Sequence, residues 1–433
     1  MVEASASISA RVSPAARAKS AVPLPAGSCD SKERQRIRLL HIIPDLWTGG
    51  AETMLAQLIA KSDRAKFEHQ VLSLRSVGDV GPTLREHGVT VDALGVHAWS
   101  AGLLKLPSFR HTIQTYRPHV VHTWLYHANV VGGAAARLWS DAKLVWGLHC
   151  GPLDIAQVKY RTRLMRWLGG RMSGPLPDRI ICCAHSVEAV HAELGYARQN
   201  LTVIPNGVDV ARFHPDPRAR EALRAELGIG AGEFLVGWVG RYDPQKDYAT
   251  FLDAARAALD VQPNLRFLLC GRGFEADRGE VTRALAARGL LDRFIRLGFR
   301  TDVPRVMAAL DAFALSSSYG EAFPLVIIEA MATGLPVVAT DVGDTRTMIE
   351  GCGITVPPRA PAALAAGIVE VARLPAEDYR TLQDEARERV ATMFSLEAAV
   401  GRHEALYREV LGRQLAVVPE RGLFSAREIV GQK

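Results

Sequence analysis

Two glutamates, Glu321 and Glu329, lie eight residues apart in the stretch 316–343, SSSYGEAFPLVIIEAMATGLPVVATDVG. The opening hydroxyl residues and Gly320 suit a loop, and Pro324 sits at a first helical position, where proline is tolerated. LVIIEAMA reads as an apolar helix that Gly334 ends, and LPVVAT as a short buried strand. Glu321 then falls in the loop ahead of the helix. Glu329 falls inside it, about 1.5 turns past Pro324 at ~3.6 residues per turn. A helix start offers free N–H groups and a partial positive charge, and so binds phosphate. Carboxylates on either side of it suit the hydroxyls that flank a diphosphate, and the combination describes a grip on a nucleotide sugar. The plainer reading is two solvated glutamates around an ordinary helix.

Two further groups carry chemistry. In FLVGWVGRYDPQKD an apolar strand ends at Gly240 and a polar loop holds Arg241 and Lys246. Arginine binds a diphosphate as a fork and lysine as a point charge; scattered surface cations are the alternative. In KLVWGLHCGP a strand delivers His149 to its end before Gly151-Pro152 turns the chain away. An imidazole there donates to a sugar hydroxyl or a phosphate, unless backbone groups already satisfy it.

Residues with these roles need rigid strand ends behind them, and the chain supplies them. IRLLHII reads as a buried strand, Gly49-Gly50 as a loop with room for a ligand, and residues 51–60 as an amphipathic helix. Glu52 on that helix reads first as a surface charge and second as an acceptor contact. Strands and helices alternate through HQVLSL, VTVDALG and HVVHTW, which argues for a parallel sheet of βα units. His122 and His127, near the end of HVVHTW, are acceptor-side candidates, because open α/β sheets bind ligands at that edge. LTVIPNGVDVARFHP reads as a strand, an Asn206-Gly207 turn with φ > 0 available, and a domain boundary. Asn206 and Asp209 read as structural. The βα pattern restarts at residue 234. After Gly353 the text is Ala-rich and helical, and residues 394–411 read as a final helix.

On these residues the chain resembles the retaining GT-B glycosyltransferases, the large family-four group. The matching pattern is Glu321, seven residues, Glu329, the small-residue run 330–332, Gly334-Leu335-Pro336-Val337-Val338 and Gly343. The Gly-Arg, four residues, Lys-Asp spacing around Arg241 and Lys246 matches too, as does Pro205-Asn206-Gly207-Val208-Asp209. The resemblance covers roughly residues 37–412. It implies an α/β GT-B architecture, two Rossmann-like parallel-sheet domains facing across a cleft. The expected parts are a disordered extension (1–35), an acceptor-side domain (36–212), a donor nucleotide-sugar domain (213–393), a helix returning to the first domain (394–412) and a tail (413–433). Implied roles follow. Arg241 and Lys246 neutralise the leaving diphosphate. Glu321 and His149 contact the donor sugar, and Glu329 the donor ribose. The amides of Leu325 and Val326 meet the diphosphate, Gly49 and Gly50 face donor phosphate and acceptor, and Gly271, Gly273, Phe299 and Arg300 touch the base mostly through backbone. Many relatives have glycine at Pro324, so one amide donor is missing here, and Arg272 stands where relatives often have an acidic residue.

The implied reaction moves a sugar from a UDP- or GDP-linked donor to a hydroxyl of a glycan or lipid-linked acceptor. Retention would come from front-face attack, with the leaving phosphate taking the acceptor proton. No acidic pair for a divalent ion is evident, so metal-independent catalysis without a cofactor is expected. A sugar-nucleotide epimerase of the same architecture and a non-catalytic sugar-nucleotide sensor remain as other readings.

Composition sets outer bounds. The 433 residues suffice for two or three domains, and at 48% apolar the chain can build large cores. No apolar run reaches the ~18 residues of a bilayer span, and the first residues lack the apolar core of a secretory signal. Six scattered cysteines, Cys29, Cys150, Cys182, Cys183, Cys270 and Cys352, show no zinc spacing and no disulfide framework, which fits a cytoplasmic setting. Charge is uneven: residues 1–213 carry 25 Lys and Arg against 16 Asp and Glu, while residues 214–433 carry 27 against 30. A basic front half suits an anionic partner, and no nucleic-acid-binding pattern is present. KYRTRLMRWLGGRM (159–172) reads either as a basic helix lying on an anionic membrane surface or as a solvated helix packing its Leu/Trp face on the domain. The first reading places the protein peripherally on the inner face of the plasma membrane.

Overall fold

The computed structural model describes residues 36–96, 105–151 and 159–412. The expected N-terminal extension, the tail and Pro152 lie outside the described residues. Among those described, thirteen strands form two fully parallel sheets. The first holds β1 (Ile37–Ile43), β2 (Phe67–Ser73), β3 (Thr90–Ala93), β4 (Val120–Trp124), β5 (Lys143–Leu148), β6 (Arg179–Cys182) and β7 (Leu201–Val203). The second holds β8 (Phe234–Val239), β9 (Leu265–Cys270), β10 (Phe294–Gly298), β11 (Ala312–Leu315), β12 (Val337–Thr340) and β13 (Gly353–Val356). Spatial order is β3-β2-β1-β4-β5-β6-β7 in the first sheet and β10-β9-β8-β11-β12-β13 in the second. Both are doubly wound, Rossmann-like sheets whose strand order reverses at one point, between β1 and β4 and between β8 and β11.

The local reasons are plain. β1 and β4 are apolar runs with almost every residue buried, as strands covered on both faces must be. Their register, Leu39 opposite Val120 through Ile42 opposite Thr123, fixes the edge on which both end. Glycine lets a helix lie close on this sheet: a Cβ at Gly133 would stand 2.7 Å from Trp146 Nε1. The helix Leu325–Ala332 is apolar nearly all round, with Ile327, Ile328 and Met331 at 0% exposure. A helix of that kind belongs inside the domain.

The chain crosses between sheets at residues 204–216 and returns at residues 394–396. Val208 N–H donates to Phe394 O (2.9 Å) and Leu396 N–H to Val208 O (2.9 Å). Gly207 has no left-handed backbone, which differs from the turn reading. It is needed for room, because a Cβ there would lie 2.7 Å from Leu396 Cα. Ser395 caps the helix Leu396–Val410, which packs on the first sheet: its Glu404 accepts from Ser62 Oγ and Asp63 N–H, both at 2.9 Å. Asp209 pairs with Lys61 at 2.9 Å. Strand β13 was not legible in the sequence, since four residues of Gly-Ile-Thr-Val are too short to show a period beside Ala-rich helices. No helix among the described residues is long and apolar enough to cross a membrane.

Candidate functional site

The loops after β8 and β11 leave the switch point of the second sheet, and they are stitched together. Asp243 accepts from Gln245 N–H (3.0 Å) and sets a single 3-10 turn, Pro244–Lys246. Asp247 follows in left-handed conformation (φ 45°) and caps the helix Tyr248–Val261 through Thr250. Ser316 Oγ donates to Lys246 O (2.8 Å), and Ser318 N–H to Gln245 O (2.9 Å). Lys246 is thereby aimed at the other loop. Its Nζ donates to Glu321 Oε1 at 2.6 Å, and Ser317 Oγ donates to the same oxygen at 2.6 Å. Only 16% of the lysine side chain and 8% of the glutamate side chain are exposed. Charge-assisted bonds this short are strong, and removing one partner leaves the other buried and uncompensated.

Arg241 is exposed one residue past Gly240. It faces the first domain: burial raises the Glu52 carboxyl above its usual range, and the Arg241 charge opposes that rise. Glu52 is therefore half-buried at the cleft, which corrects its reading as a surface charge. It folds back on the start of its own helix, where a Cβ at Gly49 would stand 2.5 Å from its carboxylate oxygen. Gly50 has open space beside it, and neither Gly49 nor Gly50 takes a left-handed backbone.

The helix Leu325–Ala332 starts one residue later than expected. Pro324 is its N-cap, so the N–H groups of Leu325 and Val326 are the first without intrahelical acceptors. Glu329 keeps part of its surface open, yet its carboxyl is so enclosed that burial pushes its pKa up to about 7, against a smaller opposing pull from Arg212. Such a group calls for a hydrogen-bonding partner. Gly271 (φ 140°) and Gly273 (φ 96°) are glycines by necessity: their Cβ atoms would lie 1.9 Å from Gly240 O and 2.4 Å from Tyr242 Cβ. The loop after β9 thus packs backbone to backbone on the loop carrying Arg241. Beside it Phe299 is 48% exposed, with the Arg272 guanidinium 4.4 Å above its ring. Arg272 also reaches Asp79 of the first domain at 3.1 Å. The Arg300 guanidinium is engaged by Asp302 at 2.7 and 2.6 Å.

The first sheet contributes rings. His149 stacks on Trp124, centroids 4.8 Å apart and planes within 14°. Neither of its ring nitrogens has a hydrogen-bond partner among the described residues. Burial lowers its pKa to about 3, so at neutral pH it is an uncharged imidazole with one N–H and one lone pair to offer. Two residues on, Gly151 meets the second domain, where its Cβ would stand 2.0 Å from Glu321 O. The strand end of β5 is thus docked on the loop that bears the Lys246–Glu321 pair.

The acceptor-side histidines divide. His122 is not at the cleft. It lies mid-strand in β4, fully buried, with Nδ1 2.7 Å from the Tyr407 hydroxyl of the final helix. It belongs to a core cluster with His41, His69, His403 and Trp124, because the face of β4 it occupies is covered by that helix. His127 lies beyond the strand and is half-buried, its pKa lowered by burial and by Arg75. The backbone leading to it is unusual: Leu125 has φ 68°, and a π-helix spans Ala128–Gly132. Both features concentrate at functional sites, and nothing in the residue types announced them. Among the described residues, no group of three or more His, Cys, Asp or Glu is arranged to hold a metal ion.

Comparison with known proteins bears on this arrangement. The family described as Glycosyl transferases group 1 matches residues 233–373, and that described as Glycosyltransferase Family 4 matches residues 48–212. The 2-deoxystreptamine glucosyltransferase of Streptomyces kanamyceticus is 31% identical over 310 residues, covering 66% of this chain and 76% of the relative. The UDP-Gal:alpha-D-GlcNAc-diphosphoundecaprenol alpha-1,3-galactosyltransferase of Escherichia coli is 29% identical over 234 residues, 53% of this chain. The chain spans 60% of that relative's length. Among solved structures, Anabaena Alr3699/HepE in complex with UDP and glucose superposes with a TM-score of 0.76 at 23% identity, covering 86% of this chain and all of that one. The fold is accordingly GT-B.

Proposed function

The chain belongs to the glycosyl transferases group 1 family, and from that premise we propose that it moves a sugar from a nucleoside diphosphate sugar to an acceptor hydroxyl in glycolipid or polysaccharide synthesis. One observation carries the reading: the enclosed Lys246–Glu321 pair at 2.6 Å, on loops that leave a sheet switch point beside a helix start. Breaking the anomeric bond builds negative charge on the diphosphate. Lys246, exposed Arg241 and the amides of Leu325 and Val326 are the groups that meet it. Cations placed for the leaving group support metal-independent transfer. Glu321 spends one oxygen on Lys246 and Ser317 and keeps the other for a sugar hydroxyl. Glu329 is proposed to receive the ribose. Retention follows if the departing phosphate takes the acceptor proton on the same face.

The acceptor is proposed to be lipid-linked. The E. coli relative carries a UDP-galactose donor and a diphosphoundecaprenol acceptor in its name. Here the helix Tyr160–Met172 buries Met165, Gly169 and Gly170 but leaves Tyr160 and Trp167 outside, with Arg171 over the Trp167 ring at 5.1 Å. A basic helix with outward aromatics suits an anionic bilayer surface, which supports a peripheral position on the cytoplasmic face as part of the proposal. The test of function is a mass-spectrometric screen of purified protein against UDP- and GDP-linked sugars with lipid-linked and soluble acceptors. A glycosylated acceptor is expected. Conversion of the free nucleotide sugar without transfer would contradict the proposal. Flotation with anionic vesicles, lost in a Trp167→Ala/Arg171→Ala variant, tests the surface.

A further inference from the structure

The helix His185–Glu193 in the first domain has no cap of its own: its N-cap is Ala184, with no side-chain hydrogen bond. The cap comes instead from the second domain. Asp344 accepts from His185 N–H at 2.7 Å through one carboxylate oxygen and from Ser186 N–H at 2.8 Å through the other. Asp344 is 7% exposed, so this is an enclosed contact. A carboxylate on a helix start is favoured by both hydrogen bonding and the helix dipole.

The same residue is tied to the site. Asp344 N–H donates to Ala322 O at 3.0 Å, next to Glu321. Gly343 (φ 65°) packs on that loop so closely that a Cβ would lie 2.5 Å from Glu321 O and 2.6 Å from Ala322 O. Gly151, two residues past His149, also presses on Glu321 O, at 2.0 Å from a Cβ built there. Phe323 meets Phe394 of the return crossing edge-on at 5.2 Å. Two segments of the first domain thus close on one ridge of the second, and the ridge is the Glu321 loop.

We infer that Asp344 is a positioning residue that sets the register between the domains, holding the His149 strand end against the Lys246–Glu321 pair. It acts through the helix it caps and touches no substrate. Its consequence for turnover rests on the glycosyl transfer proposed above; its consequence for domain register does not.

Three variants test it. Asp344→Ala removes both acceptors, and Asp344→Asn keeps one. His185→Pro deletes a single donor from the opposite side. Proline fits a first helical position, and Ala184 is already extended (φ −158°, ψ 155°) as a residue before proline must be. The donor groups lie in the second domain, so capping loss is expected to separate kcat from donor affinity. For Asp344→Ala the expected fall in kcat is at least tenfold, with the UDP dissociation constant changed less than threefold. Asp344→Asn and His185→Pro should fall between, and Asp344→Ala/His185→Pro should lose no more than the larger single loss. Spin-label distances across the cleft should broaden in the same order without any substrate. Unchanged distances, unchanged kcat, or UDP affinity falling in step with kcat would overturn the assignment. Broadened distances in a protein that transfers no sugar would uphold the register and fault only the functional reading.

Discussion

The two halves of the cleft are built on opposite electrostatic terms. In the second domain Lys246 and Ser317 are already bonded to one oxygen of Glu321, so a diphosphate bound as proposed would compete for the lysine. In the first domain the imidazole of His149 lies flat on Trp124, with neither nitrogen bonded among the described residues. A paired site is stable when empty and must exchange partners to work. An unpaired one stores its cost in the empty state and recovers it on binding.

The largest break in that contrast is Lys246→Ala. Turnover should fall by 10²–10³, the scale of losing one preorganised charge-stabilising group. Stability should fall as well, by about 3 kcal/mol, because Glu321 is left enclosed without its cation. Urea denaturation beside a single-turnover assay reads both. His149→Phe keeps the stacking and removes the nitrogens. Here turnover should drop about tenfold, on the scale of a hydrogen bond made in the transition state, while the melting temperature stays level or rises. A large stability loss in His149→Phe would erase the distinction.

Glu329→Gln sharpens the donor half. The folded carboxyl, raised to about 7 from 4.5, binds protons more tightly than in the unfolded chain. Its burial therefore costs stability increasingly as pH rises from 4.5 through 7, and the glutamine variant should melt higher at pH 8. Its affinity for UDP, measured by calorimetry, should nonetheless fall about tenfold, the scale of one charge-assisted hydrogen bond.

The histidine core of the first domain gives the opposite pH dependence. Burial above all holds His69 and His149 at about 3, and His403 at about 4 against the upward pull of its bond to the Ala399 carbonyl, with His41 and His122 lowered in the same direction. The unfolded chain takes up these protons below about pH 6.5 while the folded chain refuses them. Stability is thus complete above 6.5 and declines as pH falls toward 3, by roughly 1.4 kcal/mol per histidine per pH unit. Melting curves between pH 7 and pH 5 should show that decline, and His122→Phe should lessen it. The smallest effect belongs to Arg272→Ala. Its bridge to Asp79 is largely exposed and worth less than about 1 kcal/mol, so the melting temperature should scarcely move.

Much of this was readable in residue order. The alternation of apolar runs with amphipathic stretches pointed to parallel βα sheet and the family resemblance to two such domains, and Gly334 does end its helix in left-handed conformation (φ 78°). Contacts between distant segments were not readable. Glu52 looked like a surface charge because helical periodicity cannot show that Arg241 stands opposite. His122 looked like a ligand-facing residue because its strand end is near, whereas the final helix returns over it from 285 residues away. Asp344 was invisible for the same reason: a cap supplied from 159 residues away has no local signature. The strained turn at Leu125 is carried by an ordinary leucine, where a glycine would have marked it.

The central claim is that Lys246 exchanges Glu321 for the donor diphosphate at the start of the helix Leu325–Ala332. A crystal structure of the protein with UDP or GDP tests it most directly. The expected result places a phosphate oxygen within hydrogen-bond distance of Lys246 Nζ and of the Leu325 or Val326 amide. A diphosphate bound out of reach of all three, with the Lys246–Glu321 pair still intact, would contradict it.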